Sequence, residues 1–355
     1  MIRPFSRMLI AAMLVVLVGT HASAQSVRKV MNPYQEGGFE AGVSFLLKRS
    51  HYTNSADLEE RLAVLFDQLV ELRVNALSVV WLIYTGKVNS NKLYKNEKED
   101  TPSNEHLDLV VRKALERGFL VTMRPIIDER IMMGKNKDWR GTIRPTNVDA
   151  WFESYTSLFL EYADLGQAAG VQIFVIGVEL NSMEKYTARW RDLIVAMRER
   201  FKGKLIYSSN QGISGTMPWS DLDAVGIDAF FELDTPAGRT ATVEDMLVPL
   251  RRWAGWLEGR IKSLQVTGPI ILTEIGSRSE KNAHKETWLW RHHTTLDLED
   301  QRRFYEASCL AWRPLVQGLY WWNVTLVPTS SPDDDRDFTP LGKPAEEEIL
   351  RCYSK

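Results

Sequence analysis

An α/β fold, more specifically a single-domain (β/α)8 TIM barrel, is what this sequence predicts, and three observations predict it. Short apolar runs rich in β-branched residues alternate with amphipathic helical periods from residue 42 to the chain end. The strand candidates number eight, at 42–46, 76–84, 120–127, 174–180, 205–210, 224–231, 269–276 and 318–324. Two of these runs, IFVIGVELN and PIILTEIG, deliver a glutamate to the carboxyl end of a strand, where parallel barrels carry their chemistry. A doubly wound open sheet is the competing architecture. No Gly-rich dinucleotide fingerprint follows the first strand, which counts against it.

Taken in order, the chain opens on an address rather than on fold. Arg3 and Arg7 precede an apolar run from Met8 to Val18, and Ala22-Ser23-Ala24 offers the small residues a signal peptidase accepts. The run is far short of the roughly 20 residues that span a bilayer. A secretory signal at 1–24 is therefore expected, followed by one domain at 25–355 that is exported, periplasmic or secreted, with no membrane span after cleavage. Beyond the first strand, Leu58, Leu62, Leu65, Leu69 and Leu72 repeat at helical spacing, as do Phe152, Tyr155, Phe159 and Tyr162. Helix starts are signalled by Thr146 with Asp149, Thr242 with Asp245 and Asp297 with Asp300, each pairing a cap with an acid three residues on. The uneven segments 87–104, 128–147, 232–242, 277–296 and 325–343 are then the βα loops, the side on which a barrel binds substrate. Gly276 is expected to release the last glutamate-bearing strand into a turn.

Composition excludes several classes. A formal net charge of −2 with 25% charged residues gives no footing for a nucleic-acid partner. An exported protein could bridge its two cysteines, but Cys309 lies in an apolar helical pattern, Cys352 stands near the chain end and a chain of this length needs no staple, so separate buried or idle thiols are expected in preference to a disulfide. No serine elbow or P-loop occurs, which leaves acyl and phosphoryl transfer without candidates. His292-His293 and Asp333-Asp334-Asp335 read as solvated loops, since adjacent residues rarely chelate one ion, and no metal or cofactor is called for. A monomer is expected.

Two carboxylates on the mouths of two strands are what glycoside hydrolysis requires. At about 5 to 5.5 Å one attacks the anomeric carbon while the other protonates the leaving oxygen; an inverting pair stands about 6.5 to 9.5 Å apart. Glu179 and Glu274 are therefore the catalytic candidates. Arg124 either keeps one of them ionised or pairs with Asp128, and Asn210 and Asp228, at the ends of the fifth and sixth strands, either bind sugar hydroxyls or cap backbone. Trp81 and Trp322 end the second and eighth strands, where one would floor the sugar site. Trp321 faces outward by strand alternation, and Trp139 would bind a further sugar from a loop. Core filling accounts for most of the 12 tryptophans.

The wording of GVSF at Gly42, DWRG at Asp138, WFESY at Trp151, IGVEL at Ile176, LIYSSN at Leu205, VGIDAFF at Val225, ILTEIG at Ile271, YWWN at Tyr320 and GKPAEE at Gly342 resembles glycoside hydrolase family 113. That family consists of clan A barrels whose characterised members include β-mannanases. The resemblance implies a retaining mechanism with Glu179 as acid/base and Glu274 as nucleophile. It implies as substrate a β-linked hexose polysaccharide, mannan-like or a bacterial exopolysaccharide. The chain departs from the clan pattern at three places: Val178 replaces an asparagine that binds the sugar 2-hydroxyl, Ile126 a histidine, and Phe230 a tyrosine whose hydroxyl holds the nucleophile. A carbohydrate-binding barrel without useful turnover, serving polysaccharide production or export, is the reading that competes with the hydrolase.

Overall fold

The computed structural model describes residues 27–98, 100–130, 132, 138–290, 294–327 and 334–355. The signal at 1–24, His292-His293 and Asp333 lie outside the described residues. Nine strands are formed among them: β1 (Glu40–Leu46), β2 (Ala76–Thr85), β3 (Leu93–Tyr94), β4 (Leu120–Ile127), β5 (Ile173–Val178), β6 (Lys204–Asn210), β7 (Ala224–Asp228), β8 (Ile270–Ile275) and β9 (Gly318–Val324). Eight of them run parallel in the order β1-β9-β8-β7-β6-β5-β4-β2, and β1 pairs with β2 to close the barrel. The ninth, β3, is a two-residue strand antiparallel to the end of β2.

Alternation sorts each strand into two faces. Leu77, Val79, Trp81 and Ile83 of β2 enter the large apolar layer between sheet and helices, whereas Ala76, Val80 and Leu82 join a smaller cluster inside the barrel. Trp321 likewise points outward and stacks on Tyr305, with ring centroids 4.2 Å apart, while Tyr320 and Trp322 point inward.

The outer ring consists of α1 (Ser55–Glu71), α2 (Asn104–Arg117), α3 (Val148–Ala169), α4 (Thr187–Arg200), α5 (Val243–Ser263), α6 (Leu298–Trp312) and α7 (Pro344–Tyr353). The strict strand-helix alternation fails once. Between β6 and β7 only a single 3-10 turn at Trp219–Asp221 forms, because Gly212, Gly215 and Pro218 break the segment before a helix can nucleate. Thr242 and Asp245 form the expected capping box, and Asp297 caps α6 through the Asp300 amide. At α3 the cap is Asn147, one residue beyond Thr146, with its side chain accepting from the Ala150 amide. Cys309 of α6 and Cys352 of α7 are joined in a disulfide, so the expectation of separate thiols is corrected. Docking the two helices side by side brings together residues that are 43 apart in sequence.

Candidate active site

Both glutamates are aimed by irregularities in their strands. The pairing of β8 with β7 and β9 shifts register around Thr273 and Glu274, an extra residue of the kind a bulge inserts, so these two neighbours both turn into the barrel. The Thr273 hydroxyl donates to Asp228 at 2.8 Å, and Glu274 meets Arg124 at 2.9 Å. The β5–β6 register slips between Val175 and Val178, and β5 ends one residue before Glu179. Glu179 then adopts φ +53°, a left-handed conformation that costs a non-glycine residue roughly 1 to 3 kcal/mol and must be held by its surroundings. Those surroundings are specific. The Glu179 amide donates to the Ser208 carbonyl at 2.8 Å, and the Leu180 amide donates to the Tyr207 hydroxyl at 2.9 Å. Tyr207 in turn donates to the buried Glu184 carboxylate at 2.9 Å.

Gly276 does not turn the chain. A Cβ there would collide with the Trp322 carbonyl, so glycine is required for the close approach of β8 and β9 beside Glu274.

Each glutamate carries its own cation. Arg124, fully buried, forks both carboxylate oxygens of Asp228 at 2.8 Å, donates to the Thr273 carbonyl at 2.7 Å and reaches Glu274. Its partner is therefore not Asp128, which is held instead by Arg130. Arg140 donates to Glu179 at 2.6 Å and lies 3.3 Å from Glu129. Four carboxylates, Glu129, Glu179, Asp228 and Glu274, thus share two guanidinium groups, an imbalance that favours a retained proton. Burial pushes Glu179 up to about 7 against the pull of Arg140, with Asp228 and Glu129 adding to the rise. Burial likewise pushes Glu274 above the usual carboxylate range against Arg124, and both Asp228 and Glu179 contribute to the rise.

Of the candidates read from the sequence, the structure brings together Glu179, Glu274, Arg124 and Asp228. Asp228 is fully buried and committed to Arg124 and Thr273, so it holds the arginine rather than a sugar hydroxyl. Asn210 stands beside Asp228 in the β6–β7 register, on the inward face at the mouth. Trp322 lies in the inner cluster next to Gly276. Trp81 is not brought to the site: it is fully buried on the outer face of β2, edge-on to Tyr162 of α3 at 4.8 Å. Trp139 is half-buried and folds its indole over Gly141, where any Cβ would collide with it. That fold explains the DWRG wording, since a tight 3-10 turn at Arg140–Thr142 is what sends Arg140 to Glu179. Arg140 was missed as a site residue, and the only signal for it was this short motif.

All three departures from the clan pattern, Ile126, Val178 and Phe230, lie in the inner cluster. Lys343 of GKPAEE is buried and ties two loops together, donating to Ser279 at 3.0 Å and to the Asp337 carbonyl at 2.9 Å. Thr235, His284 and Asp300 form a buried string, 2.9 Å at each step, that ties the segment after β7 to α6. Among the described residues no group of three or more His, Cys, Asp or Glu side chains is placed to hold a metal ion, and no helix is long and apolar enough to cross a membrane. A hollow of about 350 Å³ lined by Glu40, Lys204 and Gln317 lies at the opposite end of the barrel.

A barrel with two buried glutamates at one mouth, each paired to an arginine and together short of cations, is the framework of a glycoside hydrolase. The sequence profile of Glycoside Hydrolase Family 113 matches residues 44–343, and the chain belongs to that family. No curated protein sequence matches at a significant level. Among solved structures, the GH113 β-mannanase AaManA from Alicyclobacillus acidocaldarius in complex with ManMIm superposes with a TM-score of 0.74. It covers 89% of this chain and 97% of its own at 21% identity. A GH113 β-1,4-mannanase gives a TM-score of 0.76 over 90% of this chain and 99% of its own at 19% identity. The hyperthermostable endo-1,4-β-D-mannanase from Thermotoga petrophila RKU-1 gives 0.53 over 89% and 99% at 12% identity. At these identities the likeness establishes the barrel.

Proposed function

We propose that the chain is an exported, retaining hydrolase of β-linked, mannan-like polysaccharide. The observation that carries this reading is the pair of buried, arginine-bound glutamates, Glu179 at the end of β5 and Glu274 at the end of β8. In the first step Glu274 reacts as its carboxylate, the form that Arg124 at 2.9 Å favours against the burial that raises this group, and attacks the anomeric carbon while Glu179 gives its proton to the leaving oxygen. In the second, Glu179 takes a proton from water as that water opens the glycosyl-enzyme. A carboxyl held near 7 is suited to both halves, because it is an acid before the bond breaks and a base after. The β-mannanase activity named for the GH113 structural neighbours supports mannan as the substrate class. The disulfide supports an oxidising destination, in line with the Ala22-Ser23-Ala24 cleavage site.

One observation favours the binding-barrel reading: Val178, 3% exposed, stands in the inner cluster and offers a sugar 2-hydroxyl no polar atom of its side chain. The two readings part on turnover. Purified protein incubated with mannan, glucomannan, cellulose and a bacterial exopolysaccharide should release sized oligosaccharides from mannan or glucomannan. Binding without release from any of them would make it a binding barrel.

A further inference from the structure

The hollow of about 350 Å³ at the amino end of the barrel, opposite the glutamate pair, has an acid and a base facing each other across it. Glu40 opens β1 and Lys204 opens β6. In the strand order β1-β9-β8-β7-β6-β5-β4-β2, closed by β1 on β2, these two strands are four places apart by either route and so stand diametrically opposite. Lys204 therefore acts on the Glu40 carboxyl through space rather than through a hydrogen bond, and its ammonium lies 5.9 Å from the centre of the Tyr34 ring. Between the two charges the wall is aliphatic, made by Ile173, Ile206 and Ile271. The acid is built in. Glu40 is 2% exposed and accepts from the Tyr320 hydroxyl at 2.8 Å, and a Cβ at Gly318 would stand 2.8 Å from its Cβ and 3.1 Å from its Oε2, so β9 carries glycine where this side chain needs the room. Burial pushes the carboxyl up to about 7 against Tyr320 and Lys204, so above that pH the ion costs the fold stability.

We infer that this hollow is a binding site for a small zwitterion with an aliphatic middle, its ammonium at Glu40 and its carboxylate at Lys204. A barrel interior is ordinarily filled by branched side chains packed in layers, and an acid kept there at a cost in stability marks a site rather than a scaffold. Opposite charges at the two ends of the ligand match those at the two ends of the hollow, and its middle lies on the isoleucines. A neutral sugar would leave both protein charges without a counter-charge, and an ion of one sign would satisfy one end and be repelled at the other. The volume falls at the lower end of small-molecule pockets, roughly 300 to 1,000 Å³, whose usual lining is apolar with a few polar groups that fix orientation. The site lies away from Glu179 and Glu274 and does not depend on the hydrolase reading.

The test is calorimetric titration of the mature protein with two zwitterions of different length, γ-aminobutyrate and ε-aminocaproate, and with butyrate, butylamine and mannose as partial probes. At least one zwitterion should bind saturably, one per chain, and at least about tenfold tighter than butyrate or butylamine. Glu40→Gln and Lys204→Ala should each weaken it about tenfold or more. Both zwitterions keep their two charges between about pH 6 and about pH 8, and Glu40 must be ionised to hold the ammonium, so affinity in the wild type should fall about tenfold across that range as pH is lowered. Glu40→Gln, which keeps Tyr34, Tyr320 and Lys204, the other titratable groups facing the hollow, should lose that slope. No saturable binding of either zwitterion up to about 10 mM overturns the site. Binding that both variants leave unchanged also overturns it, because the ligand then sits elsewhere. Mannose binding in place of the zwitterions, or butylamine binding as tightly as they do, overturns the assigned chemistry.

Discussion

Arg140→Gln should move the proton of Glu179 more than it disturbs anything else, and the size of the move can be worked from the structure. The Arg140 guanidinium donates to Glu179 at 2.6 Å. With charge centres about 4 Å apart and an effective dielectric near 20, such a pair is worth about 4 kcal/mol. Glu129, 3.3 Å away, shares the same guanidinium, and the glutamine amide keeps a donor near the carboxylate. Roughly half the attraction is then lost, about 2 kcal/mol, which corresponds to about 1.5 pH units. The sign follows from the charge: removing a cation favours the neutral carboxyl, so the acid is retained to higher pH. The assay is kcat/KM against pH on a substrate with a poor leaving group, whose alkaline limb reports the acid of the free enzyme. In the wild type that limb should fall near 7, where Glu179 titrates, and in the variant about 1.5 pH units higher. A limb that stays in place, or moves down, would show that Arg140 does not govern this proton.

Three further outcomes are expected. Glu40, buried and accepting from the Tyr320 hydroxyl at 2.8 Å, is pushed up to about 7 by burial, against the effects of Tyr320 and Lys204. An acid raised in the fold is most favourable when protonated, so its contribution to stability declines as pH rises from 4.5 to about 7; Glu40→Gln should remove that decline and raise stability at pH 8 by up to roughly 3 kcal/mol in denaturant titrations. Replacing Cys309 and Cys352 together by serine reopens a loop with a sequence separation of 43 and should cost roughly 4 kcal/mol in the same titrations; no change would mean that the bridge adds nothing. Tyr207→Phe removes the acceptor for the Leu180 amide and the donor to Glu184, so kcat on poor leaving groups should fall about tenfold with KM little changed, a loss of about 1.4 kcal/mol of transition-state stabilisation. Equal losses on activated and poor leaving groups would separate general damage from misplacement of Glu179.

The glutamates were legible in the sequence because an apolar strand that ends in an acid is a local pattern. Their aim was not. Nothing in IFVIGVELN announces that β5 stops at Val178 and that Glu179 takes a positive φ, since the strain is imposed by Ser208 and Tyr207 from the next strand. The position of Trp81 along β2 points to the mouth, whereas Ala76, Val80 and Leu82 on the inner face show that an odd-numbered residue of this strand points out. Arg124 was visible but its partner was not, because Asp228 lies 104 residues away and Asp128 only four. Arg140 and the disulfide share that cause. Each depends on how a loop or helix docks after the barrel closes, and the residue types involved would fit a surface ion pair or two idle thiols equally well.

The role of each glutamate is the central claim, and azide tests it most directly. On an aryl β-glycoside with a good leaving group, Glu179→Ala should still form the glycosyl-enzyme and then stall for want of a base. Azide needs no base, so it should restore turnover and yield the β-glycosyl azide. In Glu274→Ala azide can only take the place of the missing nucleophile, so any product should be the α-azide. Proton NMR of the two products distinguishes them. The β-azide from the Glu179 variant, with only the α-azide or nothing from the Glu274 variant, is the predicted result; swapped anomers, or wild-type activity in both variants, would contradict it.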